Sequence, residues 1–157
     1  MSLYRERKHW IIRVGNGINF KNSKYPFWGV KRGWGGGTKT IVEKFNKGDV
    51  LWFMVSKKFG GKMIGVAEYD KFYDKTDEPL IKINTYTNEE QNWYGPELWD
   101  LQIHYENLYN TENQDIKACI HCSANILEYT TFKKQINEDL ERHYECFKFY
   151  GTTKKFD

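Results

Sequence analysis

Cysteine is scarce in this sequence: only Cys119, Cys122 and Cys146 occur among 157 residues. An odd number of thiols does not suit a secreted disulfide scaffold, so reduced cysteine is the expectation. No apolar run approaches the roughly 20 residues that a membrane-spanning helix needs. The opening Arg5-Glu6-Arg7-Lys8 is charged, where a secretory signal is apolar, and the chain reads as soluble and intracellular. Proline is equally rare, with three residues, and no internal repeat or low-complexity segment occurs. Recognisable catalytic motifs are missing too. The chain has no P-loop, no dinucleotide glycine fingerprint after a strand, and no Cys or Ser nucleophile motif.

What the sequence has instead is aromatic mass: 17% of the residues, including six tryptophans. With 39% hydrophobic and 29% charged residues, disorder is excluded, and the length fits one domain spanning residues 1–157. The net charge of +3 conceals an asymmetry. Residues 1–62 hold 14 Lys and Arg against three acids, a local +11, which leaves −8 for the remainder. Between Val14 and Gly48 the cations are opposed by Glu43 alone. On one face they would attract phosphates; the alternative is a lysine-rich surface neutralised by acidic neighbours folded beside it.

Runs of β-branched and aromatic residues predict strands at His9–Val14, Phe27–Val30 and Val50–Val55, the last without alternation and so covered on both faces. Phe59-Gly60-Gly61-Lys62 turns the chain into a hairpin partner over Met63–Tyr73, where Gly65 marks a bulge or close approach. Leu101, Ile103 and Tyr105 alternate with polar residues in a half-buried strand reaching Asn110; Ile116–Cys122 and Ile126–Leu127 are weaker strands. A short helix is expected over Thr38–Lys47. A longer one starts at an N-cap Thr131, carries Phe132, Ile136, Leu140, Tyr144 and Phe147 on one face, and stops at Gly151. Residues 74–97 form a long polar excursion containing Trp93. Five or six strands, few helices and a hairpin too long to stay flat indicate an α/β (α+β) fold built on a strongly bent, small barrel.

Trp10, Trp52 and Trp99 lie in strand runs and read as core. Trp28, Trp34 and Trp93 sit at strand ends or on loops beside glycine and charge, where an indole is costly unless it is used. Converging rings would make a slot for a planar group or a methylated nitrogen. Stacking contributes about 1–3 kcal/mol per base, while extruding a base from a duplex costs a few kcal/mol. Such a slot therefore holds an unpaired base, and needs backbone contacts to extract a paired one.

The succession His9-Trp10-Ile11-Ile12-Arg13, Phe27-Trp28-Gly29-Val30, Val50-Leu51-Trp52-Phe53, Gly65-Val66-Ala67-Glu68, Trp93-Tyr94-Gly95 and the Leu101–Tyr105 strand resembles the EVE and YTH domains of the PUA-like superfamily. The resemblance implies a small β-barrel with flanking helices that binds RNA or DNA, often with one modified base in an aromatic cage. It implies that Trp28 and Trp93 are cage residues; Trp34, on its glycine-rich loop, is read from its position as a lid to that cage. Asn16 and Asn19 occupy the loop where relatives read the base edge, a task that suits an amide able both to donate and to accept. Lys21, Lys24, Lys31, Arg32 and Lys39 would hold phosphates. Two features depart from the YTH pattern and lean towards EVE. Asn88-Glu89-Glu90-Gln91 stands where a further tryptophan is expected, and the loop carrying Trp34 is longer and richer in glycine.

Two rival readings compete with a non-enzymatic nucleic-acid reader that needs no cofactor. Cys119 and Cys122, with His143 and Cys146, have spacings that can bind a structural zinc in an interaction domain, although His143 and Cys146 also border the apolar helix stripe. The ASCH branch of the superfamily includes amidohydrolases of acylated nucleosides that use a Lys and a Glu, and Lys31 or Lys39 with Glu68 would have to fill those roles.

Overall fold

The computed structural model describes residues 7–76, 86–96, 99–118, 120, 124–136 and 138–156. Its frame is one mixed sheet of β1 (His9–Arg13), β2 (Phe27–Val30), β3 (Val50–Met54), β4 (Met63–Asp74), β5 (Leu101–Asn110) and β6 (Ile126–Glu128), in the order β2-β5-β4-β3-β1-β6. β1 and β3 pair in parallel, Trp10 beside Leu51 and Ile12 beside Phe53, and every other pairing is antiparallel. Among the described residues β2 and β6 remain unpaired edges, so the sheet does not close into the expected barrel. A four-residue β2 and a three-residue β6 offer few hydrogen bonds for closure. The bending itself is present: β4 and β5 change register between Val66 and Glu68 and again between Tyr69 and Lys71.

β3 is buried at all five positions because it lies inside the sheet with both faces covered. Leu51 and Phe53 point into a cluster with Trp10, Ile12, Ile103 and Tyr105, enclosed by the curving sheet and Phe20. Val50, Trp52 and Met54 point the other way, onto Ile11, Val66, Leu140 and Tyr144. Trp10 and Trp52 are core, 2% and 0% exposed. Their indole nitrogens donate to Asp49 Oδ2 at 3.1 Å and to His9 Nδ1 at 3.0 Å, so neither is left unsatisfied. Gly65 is a close approach: a Cβ there would come within 3.0 Å of both Leu108 and Phe20.

Five helices flank the sheet among the described residues: α1 (Ile18–Asn22), α2 (Gly37–Val42), α3 (Asn88–Gln91), α4 (Tyr129–Phe132) and α5 (Leu140–Tyr150). The single helix expected from Thr131 is two. Asp139, not Thr131, caps the longer one by accepting from the Arg142 N–H at 3.1 Å. Gly151 ends it by donating to the Phe147 carbonyl at 2.7 Å. Of the weak strand expected over Ile116–Cys122, Cys119, His121 and Cys122 lie outside the described residues, and the described part shows an isolated bridge between Lys62 and Lys117.

Candidate functional site

A cleft of about 340 Å³ opens at the β2 edge of the sheet, between α1 and the segment that follows α3. That volume lies at the lower end of the roughly 300–1,000 Å³ typical of small-molecule sites. The cleft is built from local devices. Thr87 and Glu90 form a reciprocal capping box that starts α3, and Asn92, at φ 64°, ends it in the left-handed region. Gln91, fully buried, then ties α3 to β2 by donating to the carbonyls of Tyr25 and Phe27 at 2.7 and 3.1 Å. The short α3 thereby delivers Trp93, Tyr94 and Pro96 to the cleft.

Three tryptophans make the aromatic wall. Trp28, on β2, is half-buried and meets Trp93 edge to face, ring centres 5.0 Å apart and planes at 61°. Trp93 is 8% exposed, and its indole N–H donates to Ser23 Oγ at 2.8 Å. No base fits between these two rings, because they touch. They form a corner, with Trp28 offering the more open surface. Trp99, expected to be core alone, is buried yet lines the cleft. It lies directly over Gly29, where a Cβ would approach Trp99 Cγ to 2.5 Å, and donates to Asn88 Oδ1 at 2.7 Å. Trp34 is fully exposed and is not among the residues lining the cleft.

Of the two asparagines expected at a base edge, Asn16 instead accepts from the Ile18 N–H at 3.0 Å, in the turn before α1. Asn19 lines the cleft, but its amide is engaged at both ends with the backbone of Tyr94. Of the asparagines lining the cleft, the one whose side chain has no partner among the described residues is Asn125, exposed on the wall beside Arg13. Residue type alone did not distinguish it from the chain's many other asparagines. Tyr94, 75% exposed on the rim, carried the signal applied to Trp34, an aromatic ring beside glycine in a loop.

The basic first half of the chain is answered in part by the acidic second half. Arg32 and Lys39 both bind the buried Asp74, Lys39 at 2.7 Å. Burial alone would raise the Asp74 carboxyl, but hydrogen bonds from Lys39, Thr76 and Arg32 outweigh it and hold the group far below the usual carboxylate range. Lys21 pairs with Glu112 at 3.4 Å, Lys47 with Asp70 at 3.1 Å, and Lys8 with Glu128 at 3.7 Å. Lys24 sits 5.8 Å from the centre of the Tyr25 ring. Lys31 differs from these: it is exposed on the cleft rim and has no ion-pair partner among the described residues. With Arg13 it makes the cleft electropositive, and no Asp or Glu lines it among the described residues.

Of the rival sites, the Lys–Glu pair is not assembled. Glu68 accepts from the Tyr144 hydroxyl and pairs with Arg7 at 3.5 Å, on the α5 side of the sheet and away from the cleft. Lys39 is held by Asp74. His143 lies 2.9 Å from Glu138 and Cys146 is an exposed free thiol, whereas Cys119, His121 and Cys122 fall outside the described residues. Among the described residues no group of three or more His, Cys, Asp or Glu side chains is placed to hold a metal. No helix there is long and apolar enough to cross a membrane.

No family model and no curated protein matches the chain. Among the solved structures similar to the chain, two match at low identity. The YTH domain of the Zygosaccharomyces rouxii MRB1 protein, in complex with N6-methyladenosine RNA, is 10% identical with a TM-score of 0.46, covering 98% of this chain and 94% of that one. The Pho92 YTH domain in complex with m6A is 16% identical with a TM-score of 0.47, covering 100% and 94%.

Proposed function

We propose that this chain is a non-enzymatic reader of single-stranded RNA or DNA. It lays one unpaired base, plain or methylated, on the open face of Trp28, with Trp93 closing the corner. The observation that carries this reading is the company Trp28 keeps. Among the described residues, a half-buried indole stands in a cleft with an amide at Asn125 and an ammonium at Lys31 that have no side-chain partner, and no carboxylate lines it. A flat π-system stacks on an indole, an amide reads the hydrogen-bonding edge of a base, and the free cation suits the phosphate that every nucleotide carries. A methylated ammonium on a peptide would also seek aromatic rings. It would, however, meet the Lys31 ammonium and no carboxylate among the described lining residues, so electrostatics favour the nucleotide.

In this reading Asn125 takes the base-edge role rather than Asn16 or Asn19, and Lys31 is the phosphate contact among Lys21, Lys24, Lys31, Arg32 and Lys39. Tyr94, exposed at the rim, covers the free face of the bound base. Titrating the protein into labelled single-stranded RNA and DNA oligonucleotides, with plain and N6-methylated adenine, and following fluorescence anisotropy tests it. Tight binding by the wild type and at least a tenfold loss in Trp28→Ala are expected. Equal binding by both proteins to every oligonucleotide overturns the reading.

A further inference from the structure

The cleft accounts for Trp28, Lys31, Asn125 and Tyr94 but not for Trp34. This indole is fully exposed and touches no other ring or cation among the described residues. Its exposure is not the result of a loose loop. The Arg32 carbonyl accepts from both the Thr38 and Lys39 N–H groups, at 2.9 and 3.1 Å, closing the base of the loop. Asp100 accepts from the Arg32 N–H at 3.0 Å, and the Arg32 and Lys39 side chains clamp Asp74 beneath it. The tip is shaped by backbone that other residues rarely adopt. Gly33, Gly35 and Gly36 have φ of 81°, 62° and 75°, and a Cβ on Gly33 would meet Thr38 Oγ1 at 2.5 Å. A fixed stem and a glycine tip thus hold one large apolar ring out into water.

The loop's position and charge point to what covers that ring. Trp34 follows Lys31, on the cleft rim, by three residues, a backbone reach of about 10 Å at most. The cations of the stem are balanced by Asp74 and Asp100, but Lys31 beside it is exposed and has no ion-pair partner among the described residues, and from Lys21 to Val42 the sequence contains no acid at all. An apolar protein partner would gain nothing from that charge, whereas a polyanion with flat apolar bases would use both features. Resting on the function proposed above, we infer that Trp34 is a second stacking platform, which receives the base next to the one held on Trp28. The protein then engages at least two successive nucleotides, with the Lys31 ammonium on the phosphate between them.

Binding of a fluorescein-labelled, mixed-sequence single-stranded RNA nonamer pool to the wild type, Trp34→Ala and Trp28→Ala tests this. Acrylamide quenching of tryptophan emission, with and without unlabelled nonamer, provides a second readout. Trp34 is the one fully exposed indole of the six, so Ala there leaves the core untouched. The expected results are a loss of about tenfold or more in Trp34→Ala, and a quencher-accessible tryptophan in the wild type that the nonamer protects. Affinity within twofold of wild type in Trp34→Ala, alongside a large loss in Trp28→Ala, overturns the second platform and leaves the first standing. No loss in either variant, or no binding by the wild type, removes the nucleic-acid reading and the second platform together.

Discussion

The side-chain amide of Asn19 meets both backbone polar groups of Tyr94, accepting from its N–H at 2.9 Å and donating to its carbonyl at 3.0 Å. One amide thus does for the loop what a neighbouring strand would do, coupling α1 to the segment that carries Trp93 and Tyr94. Asn19→Ala is therefore expected to destabilise the fold by only about 1–2 kcal/mol, the net worth of two partly exposed hydrogen bonds. Amide exchange at Tyr94 accelerates selectively, and ligand affinity falls without any change in which base is preferred. A change of base preference would instead mean that Asn19 reads the base directly.

Trp28 and Trp93 separate under mutation although their rings touch. Trp93 is 8% exposed and satisfies Ser23, so Trp93→Ala is expected to cost about 3–5 kcal/mol and shift the urea midpoint strongly. Trp28→Ala removes a half-buried ring, with a smaller stability loss and a larger loss of binding. Equal stability losses in the two variants would contradict this division.

Gly29 is the contact point between β2 and Trp99. A methyl group at this position would meet three Trp99 atoms within 2.9 Å, all on the ring or its root rather than a flexible tip. Gly29→Ala is expected to cost about 1–3 kcal/mol by overpacking and to displace the indole into the cleft. The Trp99 indole N–H resonance, now bonded to Asn88 at 2.7 Å, should shift in a proton–nitrogen correlation spectrum. An unmoved resonance would show that the strand yields instead.

Lys31 and Arg32 are neighbours with opposite predicted phenotypes. Lys31→Ala leaves stability within about 0.5 kcal/mol and, if one phosphate contact is lost, flattens the salt dependence of binding by about 0.7 in log–log slope. Arg32→Ala leaves buried Asp74 with Lys39 as its only cation and destabilises the fold measurably in urea. Matching effects at both positions would mean that Arg32 also faces the ligand.

Stability is expected to fall as pH drops from about 6.5 towards 4. Burial, aided by the charge of Arg7, pushes His9 down to about 4, and burial with Lys71 does the same to His104. His9 is held neutral in addition by the Trp52 indole N–H, which needs the unprotonated Nδ1 as acceptor. Both folded values lie below the unfolded value, so between them the unfolded chain binds more protons and acid favours unfolding. The loss reaches about 3 kcal/mol per histidine, on the order of 1.36 kcal/mol for every pH unit that separates the folded from the unfolded value. Asp74, also depressed, contributes its loss only below about pH 4. Urea unfolding at pH 7.0 and 4.5 measures the effect; a flat profile between them would refute it.

Much of the frame is legible locally. β2 and β5 occupy the expected residues, and β1, β3, β4 and β6 differ from expectation by one residue at an end, because runs of β-branched and aromatic residues signal strands without long-range information. The α4–α5 break was not legible, since the stripe from Phe132 to Phe147 keeps helical spacing across it and only the Asp139 cap marks the new start. α3 was hidden in a polar excursion, although its Thr87-to-Glu90 capping box was present to be read.

By itself, the sequence determined where the strands run, that Trp10 and Trp52 are core, and that aromatic rings and cations crowd around Phe27–Val30, because each of these depends on residues near one another in the chain. Tertiary structure alone decided the chemistry of the cleft. Asp74 is 35 residues from Lys39 and 42 from Arg32, yet it binds both. Tyr94, 75 residues from Asn19, occupies its amide. Short edge strands leave the sheet open where the sequence pattern allowed closure. Hydrogen bonds and ion pairs form between chain-distant groups, so the side chains left without a partner among the described residues (Lys31, Asn125 and Trp34), and the open face of Trp28, emerge only when the chain is folded.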